Sequence, residues 1–220
     1  LIAHYSADPV LTQIFREGYD LYDYVAREVL GYAGTALELK TTDKITRAIA
    51  KEIALSSFYG IGAEKFAYRL RLKTGKTVSV GEARRYLNGY FDMLNGVKIF
   101  RQYLIEKLQQ DPVFTTVFGR KLFFKPHEFV HLAFNKVIQC TGSDITLYSL
   151  IDLDNWFKSV KMDAHCIHLV HDEALFEYRE EQEDQILGGI NWIMAERYKK
   201  IIDVPITLEI KTGYSWGCKN

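Results

Sequence analysis

The chain has 220 residues, of which 48% are hydrophobic, with 28 basic and 28 acidic side chains, so a substantial core is available and bulk charge demands no polyanionic partner. No apolar run approaches the roughly 20 residues of a membrane span and no basic-then-apolar leader is present, so neither a membrane protein nor a secreted one is expected. Cys140, Cys166 and Cys218 are widely spaced without a CxxC, which argues against a disulfide framework or zinc cage and for a reducing compartment.

Leu1-Ile2-Ala3 opens inside an apolar run, which predicts a piece of a longer chain. Apolar spacing of three and four predicts helices over Leu11 to Phe15 and Tyr22 to Leu30, followed by a loop from Gly31 to Thr42. The clearest helix runs from about Asp43 to Tyr59. Lys73 to Thr77 is turn-like, and a long helix from about Ser79 to Leu108 opens on a Ser79/Glu82 capping box and bends or breaks at Asn95-Gly96. From Val113 the texture turns aromatic and β-branched, with Val117 to Arg120 forming a turn into a short strand. A helix from about Ala133 to Phe157 follows, then two short strands, Cys166 to Val170 and Ala174 to Tyr178. A helix from about Glu180 to Lys199 and a strand from Val204 to Ile210 complete an α+β region behind an all-helical one.

Charge is neutral overall but unevenly spread. Lys65, Arg69, Arg71, Lys73 and Lys76 form one basic group and Arg120, Lys121 and Lys125 another, while Glu180, Glu181, Glu183 and Asp184 gather late. Such groups can track phosphates, and they are equally ordinary solvated faces. In the clearest helix Arg47, Lys51, Leu55 and Tyr59 recur every four residues, each step turning only about 40° around the axis. Arg and Lys one turn apart can grip a triphosphate, with an apolar residue beyond for the attached sugar and base; a solvated basic stripe beside a buried Leu and Tyr has the same spacing. Gly60 and Gly62 then allow a tight turn. Gly75-Lys76-Thr77 ends like a nucleotide P-loop, but Leu70 stands where the first glycine belongs, which excludes that motif.

Between the two late strands lie His171, Asp172 and Glu173, a charged cluster in an apolar setting. A hairpin with Asp172 at its tip is expected. A desolvated carboxylate there would need a partner or a metal, and a hard oxygen at a rigid turn suits Mg²⁺, whereas a solvated polar turn would carry the same residues. His165, His168 and His171 fall on alternating faces of a regular strand and so do not converge on a metal. No GxSxG is present, and no Cys occupies an electropositive helix start.

With these motifs in hand, the chain resembles the family A DNA polymerases, the group of bacterial DNA polymerase I. The likeness covers nearly the whole chain: Ala3-His4-Tyr5-Ser6-x-Asp8, Phe15-Arg16-Glu17-Gly18-Tyr19-Asp20, Glu28-Val29-Leu30-Gly31, the Arg47 to Gly60 series, Asn135-x-x-Ile138-Gln139-x-Thr141-x-x-Asp144, Val170 to Glu173, and Val204-Pro205 with Gly213-Tyr214-Ser215-Trp216. The resemblance implies an α+β fold: helical fingers over residues 1–122, then part of the antiparallel-sheet palm of a right-hand polymerase over 123–220. It implies a DNA-templated polymerase that adds deoxynucleotides to a primer 3′ end by two-metal catalysis, with primer-template DNA and dNTP as partners and two Mg²⁺ ions in the intact enzyme. Carried over residue by residue, Arg47 and Lys51 bind the triphosphate, Leu55 lies at the nucleotide, and Tyr59 stacks near the template base beside Gly60. Asn135 and Gln139 contact primer-template, and Asp172 is a catalytic magnesium ligand. His171 lies near the primer end, with Glu173 close to the site.

Several positions depart from the family pattern: Leu55 for a usual Phe or Tyr, Ala54 for Asn, Tyr22 for a His near the phosphates, and His131 for Arg. They point to a divergent branch, with a viral one among the candidates, working in a bacterial or phage-infected cytoplasm or another reducing, DNA-containing compartment. The family's other essential Asp belongs to a motif just before the residues matching Leu1, and neither it nor the thumb is among these residues. The stretch by itself is therefore expected to be inactive. A degenerate, non-catalytic nucleic-acid-binding module is the alternative.

Overall fold

A computed structural model describes residues 1–128 and 132–217, so His131 and Cys218 lie outside the described residues. The chain divides into two compact units, Leu1–Thr141 and Gly142–Asn220. That division falls on compactness, inside one long helix; the division at 122/123 expected above follows composition and family likeness.

The first unit is helical. α1 (Ile2–Ser6), α2 (Pro9–Arg16), α3 (Leu21–Leu30), α4 (Ala36–Thr41), α5 (Lys44–Phe58), α6 (Ala63–Thr74), α7 (Val80–Met93) and α8 (Asn95–Gln110) precede a small hairpin of β1 (Val113–Thr115) and β2 (Lys121–Phe123). Local chemistry explains most boundaries. Asp8, Asp20 and Asp43 cap α2, α3 and α5 by accepting backbone amides, and Gly31 and Gly75 end α3 and α6 in the left-handed conformation. The stretch expected to be a loop from Gly31 to Thr42 instead contains α4, started by a reciprocal Thr35/Glu38 capping box whose six-residue helix is too short to show periodicity.

The expected bend at Asn95-Gly96 is a true break, with α7 ending at Met93 and α8 starting at Asn95. Its cause lies far away in sequence. The buried Asp8 carboxylate accepts both the Leu11 amide at 2.9 Å and the Gly96 amide at 2.7 Å, joining the start of α2 to the start of α8. A side chain at residue 96 would put its Cβ 2.7 Å from the Asp8 Cα, so only glycine allows this approach. Tyr5, Phe58, Tyr90, Phe100, Phe114 and Phe134 make an aromatic cluster of stacked, edge-on and tilted pairs.

α5 is held from below by a buried carboxylate. Glu52 accepts from Ser56 at 2.9 Å and pairs with Arg69 at 2.9 Å and Lys73 at 2.6 Å, both on α6. Two of the five cations in the first basic group thus serve packing.

α9 (Ala133–Ser159) is the long helix through the division. In the second unit its later turns pack with α10 (Glu183–Met194) against the hairpin of β3 (Ala164–Val170) and β4 (Glu173–Tyr178), burying Leu153, Phe157, Met162, Ile186, Ile190 and Ile193. The hairpin is antiparallel with a bulge between Cys166 and His168. The helix expected from Glu180 to Lys199 is interrupted: 3₁₀ turns at Glu180–Gln182 and Glu196–Lys200 flank α10. The stretch from Val204 to Ile210, expected as a strand, pairs in no ladder. Its β-branched composition favours extended backbone, and a ladder additionally requires a partner edge. Among the described residues no helix is long and apolar enough to cross a membrane.

Candidate functional site

In the first unit, α5 presents Arg47, Lys51, Leu55 and Tyr59 along one line of its surface. Arg47 and Leu55 are half-buried, Lys51 is exposed, and Tyr59 is 50% exposed. The alternative of a solvated basic stripe beside a buried Leu and Tyr shares the solvated cations, and differs from what is seen in that Tyr59 is exposed and Leu55 only half-buried.

The cations are held by the start of α3. The Tyr22 ring lies under both, 5.4 Å from the Arg47 guanidinium carbon and 6.0 Å from Lys51 Nζ. Asp20, which caps α3 by accepting the Tyr22 amide at 2.9 Å, approaches Arg47 Nη1 to 2.7 Å and Lys40 Nζ to 3.6 Å. The Arg47 contact is an ion pair rather than an aligned hydrogen bond, since Nη1 is buried without a hydrogen-bond acceptor. Burial pushes the Asp20 carboxyl up, but Arg47, the Tyr22 amide and Lys40 outweigh it and hold it below its usual range. Burial, followed by the Asp20 charge, raises the Tyr22 phenol, with Arg47 opposing. Tyr22 is thus a platform for the two cations. Asp20 stood out in the sequence only within the family-like Phe15 to Asp20 series, and its pairing with Arg47 crosses elements and has no sequence signal.

At the other end of α5, Tyr59 hydroxyl lies 3.5 Å from Gln139 Nε2, the outer limit of a hydrogen bond, so α9 brings Gln139 beside the Tyr59 ring. Asn135 is half-buried one turn before Gln139. Lys51, Leu55, Tyr59, Gly60, Asn135 and Gln139 all belong to the first unit.

In the second unit His171 and Asp172 form the tip of the hairpin, and Glu173 starts β4. Asp172 is exposed. Of the two readings left open for this carboxylate, a desolvated cluster or a solvated turn, the exposure matches the solvated turn. What strains the turn is backbone, since His171 has φ +56°, left-handed for a residue with a Cβ. Glu173 is engaged, with Trp216 Nε1 donating to its Oε1 at 3.3 Å, and Trp216 meets the His168 ring edge-on at 5.8 Å. Behind the tip an open cleft of about 500 Å³ is lined by Asp172, Glu173, Phe176, Ile190, Leu208 and Lys211.

The bulge also corrects the histidine geometry. His165 and His168 stand opposite Glu177 and Leu175, residues two apart, so they share a face where regular alternation would separate them. They have different neighbours: His165 pairs with Asp163 at 3.4 Å. No group of three or more His, Cys, Asp or Glu side chains converges as metal ligands among the described residues. For Mg²⁺ the donor chemistry at Asp172 fits, because that ion keeps much of its water and takes one or two carboxylates together with substrate phosphates.

Comparison with known proteins covers almost all of the chain. The profile of the DNA polymerase family A matches residues 1–218. DNA polymerase I of Mycobacterium leprae is 26% identical over 226 residues, covering 99% of this chain and 23% of that protein. DNA polymerase I of Pseudomonas aeruginosa is 27% identical over 225 residues, covering 98% of this chain and 23% of that protein. The chain therefore spans about a quarter of the length of the curated relatives it matches. Among solved structures, the POL domain of Pol1 from M. smegmatis, in complex with DNA primer-template and dNTP, superposes with a TM-score of 0.84 at 25% identity, covering 98% of this chain and 37% of that one.

Proposed function

The chain belongs to DNA polymerase family A, and from that premise we propose that it supplies the nucleotide-gripping fingers, residues 1–122, and the later part of the palm, residues 123–220, of a DNA-templated DNA polymerase. The observation that carries the reading is the partly exposed line on α5, with Arg47 and Lys51 one turn apart over a shared aromatic platform. Two cations so placed suit a triphosphate, Arg47 as a fork and Lys51 as a mobile point charge. Tyr22, in place of the family's usual His, orders them.

Leu55 offers the sugar and base an apolar contact smaller than the family's usual aromatic ring. Tyr59, with Gly60 and Gln139 alongside, is the residue assigned to the template base, and Asn135 and Gln139 to the primer-template. At the hairpin tip Asp172 would hold a Mg²⁺ ion, with His171 at the primer end. When bound, a pair of such ions stabilises the attacking and leaving oxygens of phosphoryl transfer. Glu173, engaged by Trp216, braces the tip from the side. Cys140 and Cys166, both free, are consistent with a reducing compartment that contains DNA.

The test uses the complete protein. Asp172→Ala should abolish primer extension while leaving primer-template binding within about threefold of wild type, because a metal ligand acts on the chemical step rather than on duplex affinity. Residues 1–220 purified alone with Mg²⁺ should not extend a primer, since they lack the family's first carboxylate motif. Near-normal turnover by Asp172→Ala would refute the metal role, and a wild-type protein that binds DNA without extending it would establish the degenerate binding module instead.

A further inference from the structure

Beside the turn that ends α5 lies a cation that neither helical spacing nor family likeness singles out. Gly60 has φ +62°, in the left-handed region, and the turn is closed by the Gly60 amide donating to Ser57 O at 3.1 Å and the Ile61 amide to Ser56 O at 3.2 Å. Arg101, from the second turn of α8, lays its guanidinium where a side chain of residue 60 would be. A Cβ built on Gly60 would stand 2.6 Å from Nη2, 3.3 Å from Cζ and 3.6 Å from Nη1. The same guanidinium lies over the Phe91 ring, 5.8 Å from its centroid, and with Asn88, Phe91, Asp92 and Lys98 it lines a cavity of about 270 Å³.

A half-buried guanidinium loses hydration, and burial lowers its pKa. A planar cation can lie across the Phe91 face, which suits arginine and not lysine. The Cα side of Gly60 and the face of Phe91 are two of the surfaces it meets. The contact falls at the residue after Tyr59, where the chain direction sets how the exposed phenol leaves α5.

We propose that Arg101 is a positioning residue, which locks the left-handed Tyr59–Gly60 turn and so fixes the direction of the Tyr59 ring. The mechanical part stands on geometry alone. Its consequence for synthesis rests on the assignment of Tyr59 to the template base, and the experiment separates the two.

Hydrogen–deuterium exchange in the complete protein reads the turn directly. Arg101→Leu should speed exchange of the Gly60 and Ile61 amides by about tenfold or more, because local opening is no longer opposed by the stacked plane, with peptides from α3 unchanged. Arg101→Lys keeps the charge and loses the plane, so it too should speed exchange at these amides without changing the melting temperature; it serves where the leucine variant fails to fold. Wild-type exchange in Arg101→Lys, or in a folded Arg101→Leu, overturns the proposal.

The second readout is the ratio of kcat/KM for correct over mispaired nucleotides. Arg101→Leu should lower it about fivefold, and Gly60→Ala combined with it should add little, since both act through one turn. Additive losses overturn the shared-turn mechanism. If Tyr59→Ala leaves the ratio unchanged while Arg101→Leu still loosens the turn, the assignment of Tyr59 fails and the positioning role of Arg101 stands.

Discussion

Replacing Glu52 by Gln should loosen α5 from α6 and make the protein's stability less dependent on acid. Glu52 is 2% exposed and its oxygens meet Ser56, Arg69 and Lys73 at 2.9, 2.9 and 2.6 Å. The amide keeps the volume and one acceptor, so no cavity forms. The two cations retain 35% and 52% of their side-chain exposure, so losing their partner leaves neither stranded in a dry interior. The loss is then that of charge-assisted hydrogen bonds weakened by screening, about 2 kcal/mol. For a chain of this size that corresponds to a melting point lower by roughly 4–8 °C.

The pH dependence follows from the direction of the shift. Burial raises the Glu52 carboxyl, but Lys73, Ser56 and Arg69 outweigh it and leave it below the ordinary glutamate value of 4.5. A depressed carboxyl stabilises the fold above its unfolded-state pKa, and that stabilisation is lost as pH falls through the lower, folded one. Thermal unfolding of wild type and Glu52→Gln should therefore differ fully at neutral pH and converge in acid below the ordinary carboxylate range. Equal melting at neutral pH, or a gap that persists undiminished into acid, would refute the reasoning.

Tyr22→Leu removes the ring under Arg47 and Lys51 while leaving Asp20 in place. Two part-exposed cation–π contacts amount to about 1–1.5 kcal/mol together, so nucleotide KM in primer extension should rise roughly five- to tenfold with kcat little changed; an unaltered KM would show that the ring does not order the cations. Gly96→Ala drives a methyl into the Asp8 backbone and breaks the amide contact across the α7–α8 break, at a cost of about 2–4 kcal/mol that a urea unfolding curve would reveal as a lower midpoint. A midpoint within error of wild type would mean the pin is dispensable.

What was legible in the sequence was what local chemistry decides. Asp43 to Tyr59, the Ser79 capping box, the break at Asn95-Gly96 and the late hairpin could all be read from spacing and caps, because each is governed by residues a few positions apart. The Gly96 break was readable, but its reason was not: Asp8 lies 88 positions away. Likewise Arg47 and Lys51 could be read as neighbours on one face, while Asp20 and the platform role of Tyr22 arise only when α3 packs on α5. The same holds for Arg69 and Lys73, which belonged to a basic group by composition and to Glu52 by packing. α4 was missed because six residues carry too little pattern, and the Val204 to Ile210 strand was overread because β-branched composition cannot supply a pairing edge.

Asp172 is where the physical argument changed most. A charged cluster between apolar strands suggested a desolvation cost that a metal would relieve, yet the tip is open to water and that cost is absent. What persists is His171 at φ +56°, a conformation that costs a residue with a Cβ about 1 kcal/mol and that glycine would adopt freely. A turn chosen for stability alone would carry Gly there. Ala7 and Lys161 adopt the same left-handed conformation, so the strain by itself assigns the tip no role. Exposure is compatible with the magnesium role proposed for Asp172, since an ion that keeps much of its water and receives substrate phosphates needs an accessible carboxylate rather than a closed cage.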